Sequence, residues 1–301
     1  MKERLARMAV RVLESVPLPL LAAVCEAAML LVWAIDRRHR RIARINMRIA
    51  FPEMGDAQAS RIIRRCYRQL GTSAAEFVHL PRMDEAYIRN HVRIEGIEHV
   101  RAAIRERRQP TMVMTGHFGN WELQSHAYAR LFDPMAFIVR PLRSGVLDRI
   151  VTGRRELAGN IAIRKEDSAK EVMKLLRRGV LVGILIDQNV DRKKGVPVEL
   201  FTRRAYTTFG IARLALAMRA AIVSGFIYRD PERKFHHVLR FGRPVDIDYE
   251  APREEEVARV TRRCNGELEK AIREAPEMWM WFQKRWKTRP EGEPEIYGEG
   301  R

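Results

Sequence analysis

The sequence has few cysteines. The three in 301 residues, Cys25, Cys66 and Cys264, share no paired spacing. That excludes a disulfide-built scaffold and a cysteine-rich zinc site, and fits reduced thiols of a protein facing the cytoplasm. Phosphate-binding loops of the P-loop type, a G-x-G-x-x-G fingerprint and a G-x-S-x-G nucleophile elbow are all missing. No metal or nucleotide cofactor is therefore implied. Asp187, Asn189 and Asp191 begin like a calcium loop, but Arg192 stands where the tight turn needs glycine. His236 and His237 are adjacent on an expected strand and face opposite ways, a poor metal pair. Only one long apolar run exists, which excludes a many-spanning membrane protein. With 46% hydrophobic and 31% charged residues, the chain is neither disordered nor fibrous.

Negative charge is also scarce. Lys and Arg number 56 against 38 acids, a net charge of +18, and arginine supplies 46 of the 56. Guanidinium groups match phosphates and carboxylates bidentately, so nucleic acid, anionic lipid and an acidic carrier protein are all compatible with the charge. No nucleic-acid recognition motif is present, and a DNA- or RNA-binding module leaves the apolar amino terminus unexplained.

From position 15 to 35, 17 of 21 residues are apolar and only Glu26 is charged. As a helix this run measures about 31 Å, near the bilayer's hydrocarbon thickness. Pro17, Pro19 and Glu26 weaken a simple span, so a helix lying in the interface stays open beside a membrane-crossing one, and a buried core helix competes with both. Arginines 37, 38, 40, 41, 44 and 48 follow directly. That excess predicts attachment to an anionic membrane from the cytoplasmic face. The expected organisation is an anchoring helix and basic flank over 1–50, a catalytic domain over 51–290 and a frayed tail over 291–301.

Beyond a helix expected over 57–77, strand-like runs at 111–115, 135–139, 161–163, 180–186, 221–227 and 238–241 alternate with helical stretches. The alternation predicts an α/β fold, a mostly parallel central sheet flanked by helices, with the N-terminal membrane-associated helix in front. Reactive groups in such sheets sit beyond the carboxyl ends of strands.

One segment meets that requirement. His117 follows a buried strand, Gly116 and Gly119 free the backbone around it, and Glu122 comes five residues later as a helix begins. A second His-x4-acid pair, His79 and Asp84, follows a helix and encloses Pro81, so it is read as structural. An imidazole can take a proton from an alcohol at neutral pH, and Glu122 is expected to hold its other nitrogen and fix the tautomer. With no protein nucleophile in view, the substrate hydroxyl attacks directly. Amides near Gly119 and Asn120 are candidate oxyanion donors. A histidine merely satisfied by a neighbouring acid is the competing reading.

The segment His117-Phe118-Gly119-Asn120-Trp121-Glu122 resembles the His-x4-Asp/Glu motif of glycerolipid-type acyltransferases, the lysophospholipid acyltransferase superfamily. Within it the chain is most similar to the late acyltransferases of lipid A biosynthesis, the lauroyl and myristoyl transferases. Agreement extends through Val139-Arg140-Pro141, Gly153-Arg154-Arg155-Glu156, the strand ending in Asp187-Gln188, the loop from Phe201 to Thr208, and the Trp/Arg block from Pro276 to Lys287. Leu200-Phe201-Thr202 departs from the family's usual Phe-Phe-Gly. The resemblance implies an O-acyltransferase on the cytoplasmic face of a bacterial inner membrane. It would move a fatty acyl group from acyl carrier protein, or acyl-CoA, to a hydroxyl of a phosphorylated glycolipid, the lipid A precursor. Acylation of another glycolipid such as a phosphatidylinositol mannoside, or of a lysophospholipid, is the alternative. It further implies that Arg140 and Arg154 or Arg155 bind phosphate or the reacting carbonyl, that Asp187 and Gln188 line the site, and that Arg203 and Arg204 meet lipid or carrier phosphate. Trp279, Trp281 and Trp286 are either an interfacial belt or packing beneath the sheet.

Overall fold

A computed structural model of the chain describes residues 2–164 and 168–298. Four helices come first: α1 (Lys2–Ser15), α2 (Leu18–Ile35), α3 (Arg37–Ala50) and α4 (Asp56–His79). The apolar run is thus broken at Pro17, where a new helix starts with proline in its first turn. Next come α5 (Glu85–His91), β1 (Val92–Glu95), α6 (Ile97–Arg101), β2 (Thr111–Thr115), α7 (Trp121–Leu131), β3 (Ala136–Val139), α8 (Gly145–Arg155), β4 (Ile161–Arg164) and α9 (Ser168–Arg177). The chain closes with β5 (Val182–Leu185), the hairpin β6 (Gly195–Leu200) and β7 (Arg203–Thr208), α10 (Gly210–Met218), β8 (Ala221–Arg229), β9 (His237–Pro244) and α11 (Arg253–Glu274).

Seven strands form one sheet in the order β1-β9-β8-β2-β5-β3-β4, in which only the β8–β9 pair is antiparallel. β2 is buried at every position because helices cover both faces, so Met112, Val113 and Met114 follow one another at its centre without a polar alternation. One core layer gathers Leu123, Ala127 and Ile88 of α7 and α5; the other takes α9, α10, α11 and the tryptophan block. Trp279, Trp281 and Trp286 are fully buried there, so they are packing and not a membrane belt.

The expected boundary at residue 50 does not separate two bodies. α3 buries Ile42, Ala43 and Met47 in the main core, and Asn46 donates to the carbonyls of Trp281 (2.6 Å) and Gln283 (2.8 Å). Nor is the tail loose as far as it is described. Tyr297 is buried, donates to Asn46 Oδ1 at 2.6 Å and accepts from the Trp286 amide at 3.0 Å; residues 299–301 lie outside the described part. His79 is structural, as expected: its ring bonds the Val16 carbonyl at 3.0 Å, while Asp84 caps α5.

Candidate active site

β2 and β5 are parallel neighbours, with Thr115 opposite Leu185. Two residues beyond each register partner stand His117 and Asp187, so the two side chains emerge together at the carboxyl edge of the sheet. His117 Nδ1 lies 2.8 Å from Asp187 Oδ1, and the His117 amide donates to Asp187 Oδ2 at 3.0 Å. Trp279 Nε1 (2.9 Å) and Gln283 Nε2 (3.1 Å) also donate to Oδ2. Burial pushes the Asp187 carboxyl up, but the imidazole and these donors outweigh it and hold it down at about 2. It is a fixed anion. Burial pushes His117 down; the Asp187 charge and hydrogen bond, helped by nearby Glu122, win and raise it above the ordinary imidazole range.

This corrects the sequence reading. The carboxylate holding His117 is Asp187, expected only to line the substrate site. Glu122 turns instead to Arg155, which donates to it at 2.8 and 2.5 Å, and accepts from Trp121 Nε1 at 3.1 Å. The reason is geometric: α7 starts at Trp121 and carries Glu122 away on its first turn, whereas Asp187 sits on the adjacent strand.

The loop carrying His117 is clamped from below. Phe118 pairs with Trp279 as an antiparallel bridge, and Met280 N donates to the His117 carbonyl at 3.2 Å. The Gly119 amide donates to the Met278 carbonyl at 2.8 Å, so it is spent and is no oxyanion donor. Asn120 does not face the cavity either: it caps α7 by accepting from Leu123 N and donates to Glu76 Oε2 at 2.9 Å. Glu76 is buried. Its carboxyl feels burial most, yet His237 and Arg229 overcome that and keep it ionised, far below its usual range. Gly119 has φ +57°, and a Cβ there would stand 1.9 Å from the Ile227 carbonyl oxygen. Gly119→Ala is expected to cost about 2–4 kcal/mol in urea unfolding, from left-handed strain plus that overlap.

His117 opens onto a cavity of about 770 Å³. β3 pairs with β5 only at Ala136–Val182 and Phe137–Gly183 and then splays away. The gap between them becomes the cavity, walled by apolar residues of both strands and by α10. Arg140, Arg155 and Gln188 line it, with Gln188 Nε2 3.5 Å from His117 Nε2. Arg140 is exposed, and Trp121 lies edge-on to the imidazole at 5.1 Å.

The other expected arginines lie elsewhere. Arg154 is buried against α4, donating to the Val78 carbonyl at 2.6 Å and pairing with Glu14 of α1. Arg203 and Arg204 begin β7, opposite Leu200 and Glu199 of β6 and outside the cavity wall, and Arg204 pairs with Glu293 at 2.7 Å. Arg285 went unassigned in the sequence. It is fully buried and donates to Tyr206 O (2.9 Å) and Thr207 Oγ1 (2.6 Å). Burial pulls it down to about 10, still a cation at neutral pH, and Asp187 draws it back up.

A histidine locked on a buried carboxylate, facing an apolar cavity, suits acyl transfer to a hydroxyl. The model of the bacterial lipid A biosynthesis acyltransferase family matches residues 4–288. The chain belongs to this family. Its relatives include the lipid A biosynthesis lauroyltransferase of Escherichia coli K12, 26% identical over 87% of this chain and 83% of the relative. The E. coli K12 myristoyltransferase is 25% identical over 87% and 80%. A Haemophilus influenzae lipid A biosynthesis acyltransferase is 25% identical over 87% and 82%. The His117–Glu122 segment is built here as a His117–Asp187 pair with Glu122 in an adjoining ion pair to Arg155.

Proposed function

We propose that the protein transfers a fatty acyl group from an acyl carrier protein thioester to a hydroxyl of a lipid A precursor, at the cytoplasmic face of a bacterial inner membrane. The observation carrying this is the imidazole: Nδ1 donates to ionised Asp187, so Nε2 presents its lone pair to the cavity. In the proposed step Nε2 removes the proton of the acceptor hydroxyl as its oxygen attacks the thioester carbon. Asp187 stabilises the imidazolium that forms. The Gln188 amide and the Arg155 guanidinium, both on the cavity wall, are the donors for the oxyanion. Collapse breaks the C–S bond, and the imidazolium returns the proton to the leaving thiolate. The splayed β3–β5 gap takes the acyl chain, and exposed Arg140 meets acceptor phosphate.

A carrier-protein donor is supported by Arg192, Lys193 and Lys194, all exposed and without an ion pair among the described residues. They stand just beyond Asn189 and Val190 of the cavity wall, with Asp191 between. Reversing all three to glutamate is expected to raise KM for acyl carrier protein about tenfold, with kcat and turnover of acyl-CoA unchanged. Equal KM shifts for both donors would argue against carrier docking there. The acceptor is tested by mass spectrometry of lipid A from a strain lacking the protein: loss of one acyl chain supports the reading, and an unchanged acylation pattern overturns it.

A further inference from the structure

We infer that this protein lies on one leaflet of an anionic bilayer, with α1 and α2 in the plane of the membrane beside the cavity mouth, and that α2 does not cross it. The exposed large apolar side chains of the described residues fall only on α1, on α2, between Leu142 and Leu157 around α8, and at Ile161 of the edge strand β4. α1 contacts α8 and α4, α2 packs along α4, and α8 contacts β4, so these apolar side chains lie on neighbouring elements. Exposed apolar side chains gathered in this way on an otherwise charged molecule mark a contact surface.

α2 is long and apolar enough to span, but its inner side is committed. A Cβ on Gly71 of α4 would meet the Cys25 carbonyl oxygen and Glu26 Cα at 2.7 Å, so the helices touch backbone to backbone. Glu26, the only charge in the run, accepts from Thr72 Oγ1 at 2.9 Å and pairs with Lys234 at 3.0 Å. Crossing would either strip α2 from α4 and leave Glu26 in hydrocarbon, or drag α4 in with its exposed Arg61, Arg64, Arg65 and Arg68. Packed as it is, α2 turns a charge-free outer stripe of Val24, Leu31 and Ile35 outward.

α1 has the form of an interfacial helix. Leu5, Met8 and Val12 make one exposed stripe at i, i+3, i+7, and Arg4, Arg7 and Arg11 make the stripe beside it. Glu3 pairs with Arg149 of α8 at 2.6 Å, and Glu14 pairs with Arg154. Both ends of α1 are therefore tied to the catalytic body. The arginines flanking the apolar stripes select an anionic lipid surface over a neutral one or an apolar protein partner. Leu142 is exposed on this face and also lines the cavity, so the mouth opens at the leaflet. That last consequence rests on the lipid-acceptor reading; the mode of attachment does not.

The test places single cysteines at Arg4 and Arg38, exposed positions flanking the two helices, in full-length Cys25→Ala protein expressed in a bacterium. An impermeant maleimide is applied to spheroplasts and to inverted inner-membrane vesicles. In-plane attachment labels both sites in inverted vesicles and neither in spheroplasts, whereas labelling from opposite sides overturns the proposal. Purified Met8→Glu/Val12→Glu protein should bind phosphatidylglycerol-containing vesicles at least tenfold more weakly than the parent. It should keep the parent's melting temperature and its acyl transfer in detergent. Unchanged vesicle binding, or a dimer dissolved by the substitutions, overturns it. Absence of acyl transfer in parent and variant alike would strike the functional proposal and leave these topology readouts intact.

Discussion

His117→Ala protein folds and binds membranes like the parent but transfers acyl groups about 10³- to 10⁴-fold more slowly, the upper part of what a positioned general base contributes. The measurement is single-turnover transfer from an acyl thioester to the lipid acceptor. The loss should appear in kcat, because the imidazole acts on the reacting hydroxyl and contributes little to holding either substrate. A variant within tenfold of the parent would remove the catalytic assignment. The parent's rate should fall as pH drops, because only the neutral ring is a base. Asp187 and Glu122 raise the His117 pKa, so that limb has its midpoint above the ordinary imidazole value of about 6.5.

Asp187→Asn should cost about 10³-fold in kcat, and Glu122→Gln only about tenfold. The difference follows from the donors around Asp187. Oδ2 accepts from the His117 amide, Trp279 Nε1 and Gln283 Nε2. An asparagine must put its oxygen at that position, which places its NH₂ at the Oδ1 position facing His117 Nδ1. The ring then accepts through Nδ1 and carries its proton on Nε2, toward the cavity, where it is no longer a base. Nitrogen-15 NMR of labelled histidine reads that tautomer directly. With the anion gone, the acid limb also moves to lower pH. Glu122→Gln leaves the Nδ1 bond in place, loosens Arg155 and removes one of the charges that raise His117. Equal losses for the two variants would return Glu122 to the orienting role that the motif spacing suggests.

Much of the fold was open to sequence reasoning because parallel strands covered on both faces write themselves as short Val/Ile/Met runs, as at 111–115 and 221–227. The β6–β7 hairpin was not, since Pro197 and the Arg203–Arg204 pair carry no strand pattern and their pairing partner is set by packing on α11. α1 escaped notice because its exposed apolar stripe is interleaved with arginines and its neighbour, α8, is far away in sequence.

What the sequence by itself determined about this protein is local. It placed a histidine at a strand end, put glycine where the backbone must pass the Ile227 carbonyl, and kept one charge in an apolar helix. Which carboxylate serves His117 was decided only when β5 came to lie beside β2 in register, 70 residues on. The role of the Trp/Arg block was decided the same way, because hydrogen bonds reach about 3 Å in space whatever the chain distance. Arg154 and Arg155 make the point at its smallest scale. Adjacent in the chain and alike in chemistry, one faces α4 and ties down α1 while the other faces the cavity, because consecutive side chains on a helix point about 100° apart.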